Sequence, residues 1–82
     1  MEIELTNKAV KQYECLSEPE LSRITAAING LELEPPVGNI VKLTDKEGEY
    51  RLRTGNYRII YKKTDDCIVI TKIAQRGQAY KE

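Results

Sequence analysis

A chain of 82 residues is long enough for one small domain with a modest core, so we expect residues 1–82 to fold as a single unit. The absence of histidine excludes imidazole bases and Ser-His or Cys-His dyads, and two cysteines are too few for an ordinary zinc site or a disulfide framework. Because no apolar run approaches the length of a membrane span and no leader-like stretch opens the chain, we expect a soluble cytoplasmic protein without a cofactor.

Charge is divided unevenly, although the net charge is zero. Residues 1–40 carry three basic and seven acidic residues, a net of −4, whereas residues 41–82 carry ten basic and six acidic residues, a net of +4. A neutral protein still presents local fields, so the basic half is a weak sign of an anionic partner. The sequence pI of about 6.3 is nevertheless low for a dedicated nucleic-acid binder.

The first half predicts a short strand and two helices. Residues 2–5 alternate polar and apolar side chains, and Thr6 and Asn7 are good N-caps for a helix over residues 8–16 with an apolar face of Ala9, Val10, Tyr13 and Leu16. Serine at 17 and glutamate at 20 form a capping box around Pro19, which predicts the start of a second helix. That helix carries an apolar stripe and ends before two prolines at 35–36, so the helices form a tight antiparallel hairpin.

The second half predicts strands. A short strand over residues 39–43 precedes a charged turn, and an antiparallel meander of three strands follows between Glu49 and Tyr80, with turns at Gly55-Asn56 and at residues 64–66. Strand alternation places Arg51 and Arg53 on one face and Tyr50 and Leu52 on the other. We therefore expect an α+β fold, with the helices on one face of a small twisted sheet and the arginines on the other.

Several residues outside the meander's arginines have simple structural interpretations. Cys15 in the first helix and Cys67 in an apolar strand are predicted to be small buried hydrophobes, and Tyr57 and Tyr61 fall on the apolar face as core aromatics. Alternating arginines are most often the solvated face of a half-buried sheet. They are also well suited to phosphate, because the guanidinium fork donates in pairs and stays charged.

The string Tyr50-Arg51-Leu52-Arg53-Thr54-Gly55-Asn56-Tyr57-Arg58-Ile59-Ile60-Tyr61 resembles the RelE/ParE toxin superfamily, as does the later pattern of an apolar strand ending at Arg76 and followed by Ala79-Tyr80. The resemblance covers essentially the whole chain, including the helical hairpin. It implies a toxin of a toxin-antitoxin pair, with a cognate antitoxin as partner. In the RelE branch it further implies a ribosome-dependent endoribonuclease that cleaves mRNA by metal-free attack of the ribose 2′-OH on the adjacent phosphate and so inhibits translation.

Carried over position by position, the resemblance assigns catalytic roles to Arg58, Arg76 and Tyr80. Arg58 and Arg76 would grip the phosphate, and Tyr80 would stack on or protonate the substrate. The set of RNA-binding candidates along the backbone is Arg51, Arg53, Lys42 and Lys81.

Two departures from the pattern leave the chemistry open. Gln75 stands where many relatives have histidine and cannot exchange a proton, and arginine occupies positions where some relatives have lysine. Lys42, Lys46 and Glu49 are alternatives for the general base. A ParE-like inhibitor of DNA gyrase without nuclease activity, or a weakened member that only binds its antitoxin, is also compatible with the fold.

Overall fold

The computed structural model describes residues 2–43 and 48–75. The elements in chain order are β1 (Glu2–Leu5), α1 (Asn7–Glu14), α2 (Glu20–Gly30), β2 (Asn39–Lys42), β3 (Glu49–Thr54), β4 (Tyr57–Lys63) and β5 (Cys67–Gln75). The α+β class is confirmed. The predicted charged turn at residues 45–48 lies largely outside the described residues.

The strands form one sheet in the order β1-β5-β4-β3-β2. Strands β3, β4 and β5 pair antiparallel, which confirms the predicted meander. Strand β2 adds to the outer side of β3, and β1 pairs with β5 in the parallel direction. Within the described residues the sheet is therefore mixed and has five strands, because both short predicted strands join the meander at its edges.

The N-termini of the two helices are built differently. Thr6 caps α1 as predicted, since its Oγ1 accepts a hydrogen bond from the amide of Ala9 at 3.2 Å. The predicted capping box of α2 is wrong. Pro19 occupies the N-cap position without a side-chain cap, and the carboxylate of Glu18 accepts instead from the amide of Ser22 at 3.1 Å. A neighbouring carboxylate thus replaces the expected serine as the acceptor.

Both helices pack on the same face of the sheet. The core joins helical residues such as Ala9 and Ile24 to Leu52, Ile59 and other apolar residues of the central strands. A polar contact fixes α1 as well, because the amide of Ile73 donates to Oε1 of Gln12 at 2.7 Å. Val10, predicted to face the core, is 38% exposed, since the short helix turns only a narrow stripe inward.

The two cysteines differ from expectation. Cys15 is exposed at the C-cap of α1, so its prediction as a buried hydrophobe is wrong. Cys67 is half-buried at the start of β5. Tyr61 lies in the core and Tyr57 packs against it, which confirms the prediction of core aromatics.

Candidate nucleic-acid interface

The predicted arginine alternation is present in β3 and β4. Leu52 is buried in the core, so its neighbours Arg51 and Arg53 point to the sheet face away from the helices. Arg58 of β4 is the direct cross-strand partner of Arg53 and shares that face. Ile60, the partner of Arg51, completes this part of the face.

We call this surface the arginine face and define it by Arg51, Arg53, Arg58, Ile60, Lys72 and Ala74. Arg53 is exposed, whereas Arg51 and Arg58 are half-buried and their Nε atoms are buried from solvent. Ile60 and Ala74 are only 8% and 7% exposed but do not belong to the core cluster. The arginine face thus combines cationic groups with an apolar floor.

The β3–β4 turn sets the register that brings Arg53 and Arg58 together. Thr54 pairs with Tyr57, so the turn has the two residues Gly55 and Asn56. Gly55 has a φ of +56°, a left-handed conformation that a two-residue hairpin commonly requires. The predicted turn therefore sets the position of the arginine pair.

A further arginine reaches this turn from the helical layer. Nη1 of Arg23 lies 3.0 Å from the position that a Cβ on Gly55 would occupy. Arg23 and Arg53 both line a cavity of about 350 Å³ between α2 and the outer part of β3. Positive side chains therefore lie on both sides of this end of the sheet, and sequence reasoning missed Arg23 because it lies far away along the chain.

A β-bulge in β5 adds Lys72 to the arginine face. The register with β4 changes from Ile60↔Lys72 to Tyr61↔Ile70, so Thr71 is the extra residue. Beyond the bulge Ile73 points into the core, while Lys72 lies on the face of Ile60 and Arg58. Lys72 was not among the predicted site residues, because residues 67–74 form a nearly continuous apolar run that hides the bulge.

The remaining predicted site residues are distributed differently. Lys42 pairs with Tyr50, so it lies on the sheet face opposite to the arginine face, at the exposed edge strand β2. Arg76, Tyr80 and Lys81 lie outside the described residues. Gln75 ends β5 as the partner of Tyr57 and is exposed. The structure thus brings together three of the seven predicted site residues, namely Arg51, Arg53 and Arg58.

Glu49, the carboxylate among the candidates for the general base, lies in the described part of the chain. It begins β3 on the arginine face, opposite Lys62, and is only 8% exposed. It lies four positions before Arg53, the partner of Arg58, which corresponds to roughly 13 Å along the strand at about 3.3–3.4 Å per residue. Glu49 is therefore remote from a phosphate held between Arg53 and Arg58.

The opposite face of the same strands carries an aromatic pair. The rings of Tyr50 and Tyr61 are stacked with centroids 5.4 Å apart and an interplanar angle of 16°. Burial, followed by the neighbouring Tyr50, raises the pKa of the Tyr61 phenol. Tyr61 is thus held in its neutral form and supports the strands that present the arginines.

The far edge of the sheet is acidic. Burial and the carboxylates of Glu4, Glu2 and Asp66 raise the pKa of the Cys67 thiol.

Within residues 2–43 and 48–75, no group of three or more histidine, cysteine, aspartate or glutamate side chains is arranged to hold a metal ion. Neither α1 nor α2 has the length and apolar character required to cross a bilayer.

Three solved structures that contain RelE toxins share the fold of this chain. The chain resembles the archaeal RelE–RelB complex from Pyrococcus horikoshii OT3 with 29% identity and a TM-score of 0.78, over 95% of this chain and 97% of that one. The RelB–RelE antitoxin–toxin complex from Methanococcus jannaschii is 21% identical with a TM-score of 0.75, over 88% of each chain. The isolated E. coli RelE toxin is 13% identical with a TM-score of 0.80, over 96% of this chain and 87% of that one.

Sequence comparison gives the family directly. No curated protein matches the chain. The family described as the ParE toxin of the type II toxin-antitoxin system, parDE, matches residues 3–80, which is nearly the whole sequence. The chain therefore belongs to the ParE toxin family and is a toxin of a type II toxin-antitoxin system in the RelE/ParE superfamily.

Proposed function

We propose that this toxin is a ribosome-dependent endoribonuclease that cleaves mRNA and thereby inhibits translation in the cytoplasm. The observation that carries the proposal is the direct pairing of Arg53 with Arg58, beside Arg51, on the face that the helices leave open. Guanidinium groups donate paired hydrogen bonds to phosphate oxygens and remain charged at any physiological pH. A single-stranded message crossing the strands would meet these groups through its backbone.

The proposed reaction is an internal transfer of the phosphate. The ribose 2′-oxygen forms a bond to the adjacent phosphorus and loses its proton, while the bond from phosphorus to the 5′-oxygen breaks and that oxygen gains a proton. The products are a 2′,3′-cyclic phosphate and a free 5′-hydroxyl. Because the nucleophile is a 2′-OH, the substrate must be RNA.

Arg58 has the main electrostatic role in this proposal. Negative charge accumulates on the phosphorane oxygens in the transition state, and a fixed guanidinium stabilises that charge more than it stabilises the ground state. Arg51 and Arg53 would hold the flanking backbone. Arg76 as a second phosphate ligand and Tyr80 as a stacking or proton-donating group stay predictions.

Two of the three candidate general bases, Lys42 and Glu49, lie away from Arg58. Lys42 lies on the other face of the sheet, and Glu49 lies roughly 13 Å along the strand from the arginine pair at about 3.3–3.4 Å per residue. Neither described residue is within hydrogen-bonding reach of a 2′-OH beside Arg58. Lys46 and the residues after Gln75 lie outside the described part of the chain.

A ParE-like inhibitor of DNA gyrase is the second candidate, and the description of the matching family favours it. In that case the arginine face would bind a protein surface or DNA, and no bond in RNA would be broken. We further propose that an antitoxin neutralises the toxin. The archaeal structures with this fold, which are toxin–antitoxin complexes, support that partner.

The test adds the purified chain to a translation extract programmed with a defined mRNA and maps the message by primer extension. Cuts that require the ribosome support the proposal. Intact message, combined with inhibition of supercoiling by purified gyrase, would contradict it and support the second candidate. If the short gene adjacent to the toxin gene encodes the antitoxin, adding its product should abolish either activity.

A further inference from the structure

We propose that Lys72 contacts the phosphate backbone of bound RNA and that the β-bulge at Thr71 places it there. This inference rests on the proposed function for its ligand, and it adds a residue that the resemblance to known toxins did not identify. Its basis is the change of register in β5 and the set of contacts that hold this change in place.

The apolar pattern of β5 requires the bulge. Ile68, Ile70 and Ile73 all lie in the core. In a regular strand, residues 68, 70 and 72 would share one face, and Lys72 would point into the core beneath the helices. The extra residue at Thr71 shifts the alternation, so Ile73 fills the core and Lys72 emerges on the arginine face.

Hydrogen bonds hold the bulge from both sides. The hydroxyl of Thr71 donates to the carbonyl of Ile60 on β4 at 3.2 Å. On the other side, the amide of Thr6 donates to the carbonyl of Ile70 at 3.0 Å, and the amide of Ile73 donates to Gln12 of α1 at 2.7 Å. The position of Lys72 is therefore determined by contacts with β4 and with α1 and its N-cap Thr6.

The register gives Lys72 two cationic neighbours. It is the direct partner of Ile60, whose other partner is Arg51, so Lys72 and Arg51 flank Ile60 from opposite sides. It is also diagonal to Arg58, which pairs with Ala74, and such diagonal positions are about 7–8 Å apart. Long basic side chains lay their aliphatic stems along apolar neighbours.

The consequence is a basic path across the strands. Arg51 and Arg53 lie on the β3 side of Arg58, and Lys72 lies on its β5 side. A phosphate at Arg58 would therefore have cations on both sides, and the backbone could continue from β3 to β5. Without Lys72 the path would stop at β4 within the described residues.

The test measures binding of a fluorescein-labelled single-stranded RNA by anisotropy over a series of salt concentrations. We expect Lys72→Met to weaken binding by up to about fivefold, the size of one solvent-accessible ionic contact. The slope of log K against log salt should decrease by about 0.7, which corresponds to one phosphate contact on a single strand. Lys72→Arg should restore both values.

Lys11→Met is the matched control, because Lys11 is an exposed lysine on α1 and its removal changes the net charge equally. It should leave the affinity and the salt slope unchanged. A purely structural role for Lys72 would alter the unfolding midpoint without altering the slope.

An unchanged slope for Lys72→Met, or a wild-type chain that does not bind the RNA, would overturn the inference. Failure of the proposed function appears separately, as uncut message in the translation extract. If the wild type cuts message and Lys72→Met has the same salt slope as the wild type, only the role of Lys72 is refuted.

Discussion

Arg53 and Arg58 are direct partners across the β3–β4 hairpin, so two positive side chains leave the sheet side by side on the same face. Like charges placed directly opposite in a sheet destabilise it. The pair is therefore unfavourable for folding and suited to an anionic ligand, as is common when a site is built at the expense of stability.

The first prediction follows from this pair. Arg53→Thr should stabilise the fold by about 0.2–1 kcal/mol, because it removes the like-charge contact and introduces a good strand former. The same substitution should weaken RNA binding. Arg51→Thr is the matched control, since its direct partner Ile60 is uncharged and less repulsion is relieved. Urea unfolding at low salt measures the difference, and a gain of equal size in both variants would contradict the explanation.

The second prediction concerns two glycines with positive φ. Gly38 has a φ of +138°, and a Cβ there would lie 2.6 Å from Cδ1 of Leu52, so Gly38→Asn should destabilise the protein by about 2 kcal/mol or more. Gly55 has a φ of +56°, at which a side chain is also strained, but its nearest neighbour is the flexible end of Arg23. Gly55→Asn should therefore destabilise the protein less than Gly38→Asn does. Equal thermal midpoints for the two variants would contradict this reasoning.

The third prediction concerns alkaline pH. Folding raises the pKa of Tyr61 above its ordinary value of 10.0, because burial and Tyr50 disfavour the phenolate. The folded state thus holds the proton more tightly, and this contribution to stability is complete below pH 10.0 and is lost as the pH rises towards the raised pKa. Between pH 9 and 11 the free energy of unfolding should therefore fall less in Tyr61→Phe than in the wild type, because the variant has no phenol at this position. Urea unfolding of both proteins at each pH measures the difference, and an equal loss of stability in the wild type and in Tyr61→Phe would contradict the raised pKa.

The fourth prediction concerns the two thiols. Cys67 is half-buried, and burial with the carboxylates of Glu4, Glu2 and Asp66 raises its pKa, so little thiolate is present at neutral pH. Iodoacetamide should alkylate the exposed Cys15 several times faster than Cys67, as followed by mass spectrometry. Glu4→Gln should accelerate the reaction of Cys67 and leave that of Cys15 unchanged. An unchanged rate for Cys67 in Glu4→Gln would contradict the assigned pKa direction.

The arginine face could be predicted from the sequence because two local signals agree. Period-two alternation assigned Arg51 and Arg53 to one face of β3, and the Gly55-Asn56 turn fixed the register that places Arg58 opposite Arg53. Both signals depend only on neighbouring residues, so contacts between distant segments do not override them. The apolar stripe of α2 was predictable for the same reason.

The features that were missed depend on contacts between distant segments. The bulge at Thr71 is stabilised by α1 and β4, and a run of apolar residues hides it in the sequence. The parallel pairing of β1 with β5 joins residues more than sixty positions apart. Glu18 replaced the expected cap of α2 because several acceptors compete near the same amides.

The central claim is that Arg58 stabilises charge on a phosphate of mRNA. The most direct measurement is the rate of message cutting by primer extension on programmed ribosomes, for the wild type, Arg58→Ala and the control Lys11→Ala. We expect Arg58→Ala to cut about 10²–10³-fold more slowly, as when one transition-state donor is removed, and Lys11→Ala to cut at the wild-type rate. Cutting by a folded Arg58→Ala variant at the wild-type rate would contradict the claim.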